Sequence, residues 1–134
     1  MQPVAFSLEF RGYSTALSPG VLTARASAPR DGAGEALLER RITFIDETSF
    51  EDAGTISFGG GDALRFRNIG LGTLGPSADP ALRQGTAAWS VDGGAGAFAG
   101  ASGRIVSNFL VAVGGELTDH QLGIVFLQET KEES

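Results

Sequence analysis

The chain has 134 residues, enough for one hydrophobic core, and carries 16 acidic against 10 basic residues for a net charge of −6. This negative field repels nucleic acid and anionic membrane surfaces, and the absence of cysteine excludes disulfides, thiolate nucleophiles and cysteine metal sites. Its apolar runs are far shorter than the roughly 20 residues of a membrane-spanning helix, and residues 1–6 do not resemble a signal peptide. We therefore expect a cytoplasmic protein.

The first half of the chain alternates in the manner of β-strands. The clearest case is 4–12, where Phe6, Leu8 and Phe10 share one face and Ser7, Glu9 and Arg11 the other. Further strands are predicted over 21–27, which a turn cluster at 29–34 ends, and over 36–46. Short strands at 54–58 and 63–69 form a hairpin around three glycines and Asp62.

The second half begins with a long connection over 71–83. Connections of this length are often binding loops or lids, and a single helical turn could begin at Pro80 behind an Asp79 cap. Strands are then predicted over 84–91, 104–111 and 119–127, and residues 129–134 form a polar tail.

A glycine-rich stretch over 91–104 connects two of these strands. A phosphate-binding loop would be followed by a helix, whereas the β-branched and aromatic run 105–111 is typical of a strand. The stretch is therefore a corner between strands, and we expect positive φ at Gly100 or Gly103.

Eight short strands with glycine turns predict an antiparallel sandwich or a closed barrel. A barrel of about eight strands leaves room inside for side chains or one small ligand. The runs 105–111 and 124–127 are apolar on both faces, which predicts a covered outer face. The simplest cover is self-association as a dimer or trimer.

Residues 94–103 resemble the G-x-G-x-F-x-G-x-x-G corner of allene oxide cyclases and dirigent proteins. The resemblance is strongest over 86–127, and short bacterial proteins share both this corner and the Gly-Pro-Ser-x-Asp-Pro loop at 75–80. It implies an all-β fold, an eight-stranded antiparallel barrel over 1–128 that is often trimeric. It also implies a cofactor-free pocket at one barrel end, which holds a reactive apolar molecule.

The resemblance also points to catalytic candidates. In allene oxide cyclases a strand-one glutamate, an asparagine two residues later and a proline in the next loop line the pocket. Glu9 and Pro19 stand near these positions, Arg11 replaces the asparagine, and the cysteine of that pocket has no counterpart. These departures argue against the allene oxide cyclase reaction itself.

Two interpretations of Glu9 and Arg11 remain open. Inside an apolar barrel, Glu9 is suited to act as an acid or base and Arg11 to anchor a substrate carboxylate. On alternation alone, both belong to a solvated outer face where an ion pair contributes little.

Five residues are candidates for substrate binding. Tyr13 and Trp89 offer an apolar body with a polar tip, Asn68 and Asn108 lie on otherwise apolar strands, and Pro19 follows from the resemblance. Trp89 could equally be core, and the asparagines could mark bulges or edges. The single histidine, His120, is left out of the catalytic set, and Arg40, Arg41, Arg65 and Arg67 are predicted to form a charged exterior.

Three functions follow from this reading. The first is a cofactor-independent cyclase or isomerase for a polyketide- or lipid-derived substrate, with no metal. The second is a non-catalytic barrel that binds a small hydrophobic ligand, and the third is a ligandless structural oligomer. A carboxylate in an open cavity favours the first, an open cavity without ionisable groups the second, and a barrel filled by phenylalanines the third.

Overall fold

The computed structural model describes residues 2–30 and 34–128, most of which belong to strands. In chain order the strands are β1 (Gln2–Ser18), β2 (Val21–Arg30), β3 (Gly34–Phe44), β4 (Ser49–Gly59), β5 (Asp62–Asn68), β6 (Gly72–Pro76), β7 (Leu82–Ala95), β8 (Ser102–Ala112) and β9 (Glu116–Leu127). A turn of 3-10 helix, Gly96–Phe98, follows β7. All eight predicted strands are present.

All strand pairs are antiparallel, and the sheet closes on itself. The order around the wall is β1, β2, β3, β4, β5, β7, β8 and β9, and β9 pairs back to β1. The prediction of a closed eight-stranded barrel is therefore confirmed, and the sandwich alternative is wrong. The short strand β6 takes the place of β5 between β4 and β7 once β5 has ended at Asn68.

Alternate residues of each strand point into the barrel. On β1 the inward face carries Phe6, Leu8 and Phe10, as the period-two pattern predicts. On β2 the buried inward residues are alanines, whose small side chains leave room for larger ones inside: Ala24, Ala26 and Ala28. The largest fully buried apolar side chains of the core are Trp89, Phe10, Phe50, Leu38, Ile56, Leu64, Ile105 and Val125.

The glycine-rich stretch is the predicted corner, between β7 and β8. Gly100 and Gly103 have φ of 71° and 149°, so the expected positive φ is confirmed. At Gly103 a Cβ atom would also lie 2.3 Å from the carbonyl oxygen of Ile124. A side chain there would therefore push β8 away from β9.

The corner also closes one end of the barrel. Phe98 in the 3-10 turn stacks on Phe58 with ring centroids 5.0 Å apart, and Phe6 meets Phe58 edge-on at 6.5 Å. The guanidinium of Arg30 lies 5.0 Å from the centroid of the Phe58 ring and donates a hydrogen bond to the Phe58 carbonyl oxygen at 2.8 Å. We call these four residues the aromatic plug.

The connection over 71–83 differs from its prediction. It contains β6, which approaches β4 closely because Gly72 has no side chain where the Phe50 ring packs. The helical turn expected at Pro80 is wrong: the backbone N–H of Leu82 donates to the Asp79 carbonyl oxygen at 3.0 Å, which forms a β-turn instead. The predicted tail at 129–134 and residues 31–33 of the predicted turn lie outside the described residues.

Candidate functional site

The centre of the barrel holds a fully buried charged side chain, Arg40 of β3. Its Nε and Nη2 atoms donate to Oδ2 of Asp52 on β4 at 2.9 and 2.5 Å. Its Nη1 atom donates to Oδ2 of Asp119 on β9 at 3.1 Å. Both carboxyl groups are fully buried as well. One guanidinium therefore ties three strands together across the interior.

Neutral donors complete this arrangement. Ser107 Oγ and Gln121 Nε2 donate to the two oxygens of Asp119 at 2.7 and 2.9 Å. The indole Nε1 of Trp89 donates to Oδ1 of Asp52 at 3.0 Å. Every oxygen of the two buried carboxyl groups thus has a donor, as buried charges require. We call this set the polar layer: Arg40, Asp52, Ser107, Asp119, Gln121 and Trp89.

Aromatic rings separate the polar layer from one end of the barrel. The Arg40 guanidinium carbon lies 4.8 Å from the Trp89 ring centroid and 4.7 Å from that of Phe109. Phe109 in turn packs edge-on against Phe50, and Phe50 against Phe44, each with centroids 5.9 Å apart. The charges therefore lie beneath a row of phenylalanines packed edge to face.

Burial governs the protonation of this layer. Loss of hydration raises the pKa of Asp52 above its ordinary value, and the negative charge of Asp119 raises it further. The charge of Arg40 and the hydrogen bonds from Arg40 and Trp89 lower the pKa of Asp52 and only partly offset this effect. The layer holds two carboxyl groups against one guanidinium, so its charge is negative whenever both are ionised.

The barrel end opposite the aromatic plug is open. The turns after β1 and β8, the end of β3 and the β6–β7 connection surround a cavity of about 1220 Å³, which we call the bowl. Its lining is mostly apolar or small, and includes Ala16, Pro19, Leu22, Phe44, Leu74 and Val111. The bowl exceeds the roughly 300–1,000 Å³ typical of small-molecule pockets because it is open at its rim. No residue of the polar layer lines it.

The structure places Glu9 and Arg11 outside the barrel. Their side chains are 42% and 71% exposed and pair with each other at 3.1 Å. Glu9 Oε1 also lies 3.0 Å from Nε2 of His120 on the neighbouring strand. The apolar surroundings that suited Glu9 to acid–base chemistry are absent, because Phe6, Leu8 and Phe10 occupy the inward face of β1. Of the two interpretations left open by the sequence, the solvated outer face is therefore correct, and a catalytic role for this pair stays a prediction.

The five predicted substrate-binding residues fall into three groups. Trp89 is fully buried inside the barrel, and Asn68 is half-buried at the end of β5, where its Oδ1 accepts a hydrogen bond from the backbone N–H of Asp52. Pro19 lines the bowl. Tyr13 is 63% exposed, and Asn108 lies on the outer face of β8. Neither Tyr13 nor Asn108 lines the bowl, so the predicted substrate contact by these two residues gains no support from it.

The polar layer was not predicted. The expected exterior position of Arg40 is wrong, whereas Arg41, Arg65 and Arg67 are exposed as predicted. The available signal was parity, because Arg40 shares its strand face with Leu38 and Ile42. The same test assigns Asp52 to the face of Phe50.

The outer wall of β8 and β9 is apolar, as predicted. Val106, Leu122, Ile124 and Phe126 are 38–62% exposed there, and Val106 pairs with Leu122. The proposed cover, a second copy of the chain, stays a prediction.

No helix among residues 2–30 and 34–128 is long and apolar enough to cross a membrane. Within the same part of the chain, no three His, Asp or Glu side chains form a group that could hold a metal ion.

Fold and site together define a class of protein: a closed, eight-stranded antiparallel barrel with one plugged end and one open end. Among solved structures the chain is similar to the pterocarpan synthase dirigent protein GePTS1, with 16% identity and a TM-score of 0.61 over 100% of this chain and 91% of that one. At this identity the likeness shows the fold. No family model and no curated protein sequence matches the chain. The expected closeness to allene oxide cyclases and to short bacterial proteins stays a prediction.

Proposed function

We propose that this protein binds one small, largely apolar molecule in the bowl and holds it in a restricted set of conformers, shielded from bulk water. The observation that carries the proposal is the asymmetry of the barrel. One end is filled by the aromatic plug, while the other leaves about 1220 Å³ open above an apolar lining. The phenylalanines that fill the interior favour a ligandless barrel by the criterion given above, whereas the open, apolar bowl at one end favours ligand binding.

The lining favours binding over acid–base catalysis. No carboxyl group lines the bowl among the residues that the structure describes. By the criterion of an open cavity without an acid or base, the geometry favours the binding barrel ahead of a cyclase or isomerase. A polyketide- or lipid-derived ligand fits this lining, because burial of apolar surface is then the main source of affinity.

One observation keeps the cyclase or isomerase as a second candidate. Burial raises the pKa of Asp52, so this carboxyl holds its proton to higher pH than usual, as a general acid must. Asp52 does not itself line the bowl. Without acid or base contact, the bowl can still favour ring closure by ordering a flexible substrate and excluding water.

Filling the bowl tests the binding function. The neutral probe N-phenylnaphthylamine fluoresces when it enters an apolar site. Ala16 lines the bowl on an exposed part of β1, so Ala16→Trp fills the cavity without disturbing the core. We expect the affinity for the probe to fall about tenfold or more.

The matched control is Ala53→Trp, which adds the same side chain to an exposed outward position on β4 and should leave probe affinity unchanged. Binding that is equally strong in Ala16→Trp and in the unaltered protein would mean that the probe binds elsewhere, for example on the outer wall of β8 and β9, and would overturn the proposal.

A further inference from the structure

One charged side chain stands out at the rim of the bowl. Arg83 is the only charged residue among the described residues that line it. It lies near the start of β7, two positions before the buried Gly85, and pairs with Val111 of β8, another lining residue. Because side chains alternate along a strand, Arg83 shares the inward face of β7 and emerges where that face reaches solvent.

The charge of Arg83 is available to a ligand. Among the described residues, no carboxylate oxygen lies within ion-pair distance of its guanidinium. Two acidic residues, Asp46 and Glu47, line an adjoining cavity together with Phe44 and Arg83. The carboxylate of Asp46 is already engaged by the backbone N–H groups of Thr48 and Ser49 at 2.9 and 2.8 Å. These bonds lower the pKa of Asp46.

The other end of the barrel provides a contrast. Arg30 also stands beside a phenylalanine, but its guanidinium lies over the Phe58 ring and donates to a carbonyl oxygen. Arg83 lies above an apolar cavity with no such partner among the described residues. A planar guanidinium at the edge of apolar surface is well suited to hold a carboxylate by two parallel hydrogen bonds.

We propose that the bowl selects an apolar molecule that carries one anionic group, such as a carboxylate, with the apolar part against Leu22, Phe44 and Leu74 and the anion on Arg83. This inference rests on the proposed binding function and specifies its ligand class. The net charge of −6 repels anions from the rest of the protein. Arg83 thus provides a local positive charge at the rim of the bowl, and by binding the anionic group it fixes the orientation of the ligand.

Two probes with the same ring skeleton test this inference. Anilinonaphthalene sulfonate differs from N-phenylnaphthylamine by one sulfonate group. We expect Arg83→Gln to weaken binding of the sulfonate probe about tenfold, the size of one charge-assisted hydrogen-bonded contact, and to change binding of the neutral probe by less than about twofold. Raising the salt concentration should weaken sulfonate binding to the unaltered protein and have little effect on the variant.

Arg67→Gln is the matched control, because it removes the same charge from an exposed outward position on β5, and it should bind both probes normally. The anion inference would be overturned if the sulfonate probe bound Arg83→Gln as tightly as the unaltered protein. The binding function would still stand if Ala16→Trp weakened binding of the neutral probe. If Ala16→Trp weakens the binding of neither probe, the proposed binding function itself is wrong.

Discussion

The two ends of the barrel contain similar residues and differ in how these are used. At the plugged end, Phe98 arrives on the turn between β7 and β8 and stacks on Phe58, with Arg30 over the same ring. At the open end, the β1–β2 and β8–β9 turns consist largely of small residues around Gly20 and Gly114. Phe44 packs edge-on against Phe50 inside, and no aromatic ring among residues 2–30 and 34–128 closes the bowl. Closure of a barrel end requires a turn that delivers a large side chain.

The polar layer lies between the two ends and holds the strands that frame both, so its loss is the most damaging change. We expect Arg40→Met to lower the free energy of unfolding by about 3–5 kcal/mol, because it leaves two buried carboxyl groups without their cation. Urea denaturation measures this loss. Arg41→Met, at the exposed neighbouring position, should stay within about 0.5 kcal/mol of the unaltered protein.

If Arg40→Met does not fold, Asp52→Asn and Asp119→Asn added to it should recover part of the stability by removing both unpaired charges. An Arg40→Met protein as stable as the unaltered one would mean that the layer does not hold the barrel together.

Matched truncations at the two ends test the contrast directly. Phe58→Ala removes a stacked ring, an edge contact and the support of Arg30, and we expect a loss of about 3 kcal/mol. Phe44→Ala removes one edge contact beside the bowl, and we expect about half that loss. Probe binding should respond in the opposite order, weakened by Phe44→Ala and unchanged by Phe58→Ala. If Phe58→Ala and Phe44→Ala had equal effects on stability and equal effects on probe binding, the two ends would not differ in function as proposed.

The smallest expected effect is on the pH dependence of stability, and it comes from Asp52 in the polar layer between the two ends. Burial raises the pKa of Asp52 in the folded state above its ordinary value of 3.8, so the folded protein binds this proton more strongly than the unfolded chain. The resulting stabilisation is complete below the ordinary pKa and is lost as the pH rises through the raised one. In that window we expect the free energy of unfolding to fall by at most about 1.4 kcal/mol per pH unit.

Asp52→Asn should remove this contribution, and urea denaturation across a pH series measures it. Asp92→Asn, at an exposed position on β7, should retain the slope of the unaltered protein. An unchanged slope in Asp52→Asn would assign the titration to another group.

The wall of the barrel was predictable because period-two alternation is a local property of the chain. It identified all eight wall strands and, on β1, the correct inward face. It missed β6, whose five residues include two glycines and a proline and carry little alternation. It also missed that Gly72 lets this short strand approach Phe50.

The polar layer could not be predicted from the sequence, for a different reason. Parity assigns Arg40 to the buried face of β3, but an isolated buried charge is so costly that an exterior position is the natural expectation. Its partners lie 12 and 79 positions away along the chain. The β3–β4 pairing brings Asp52 beside Arg40, but only the closed topology brings Asp119 to it, and no local pattern encodes that meeting. The bowl depends in the same way on turns that are distant in sequence. Among its lining, Pro19 was named as a candidate, and the connection over 71–83, which contributes Leu74 and Arg83, was predicted as a binding loop.

Where β6 replaces β5, the barrel wall is more weakly paired than elsewhere. Two residue pairs join β6 to β4, against eight between β3 and β4. Segments with the fewest contacts open first in a folded protein, so the rim can yield beside Leu74 while the opposite end keeps its shape. We therefore expect a bulky ligand of the proposed kind to widen the bowl on this weakly paired side, at β6, and to leave the aromatic plug unchanged.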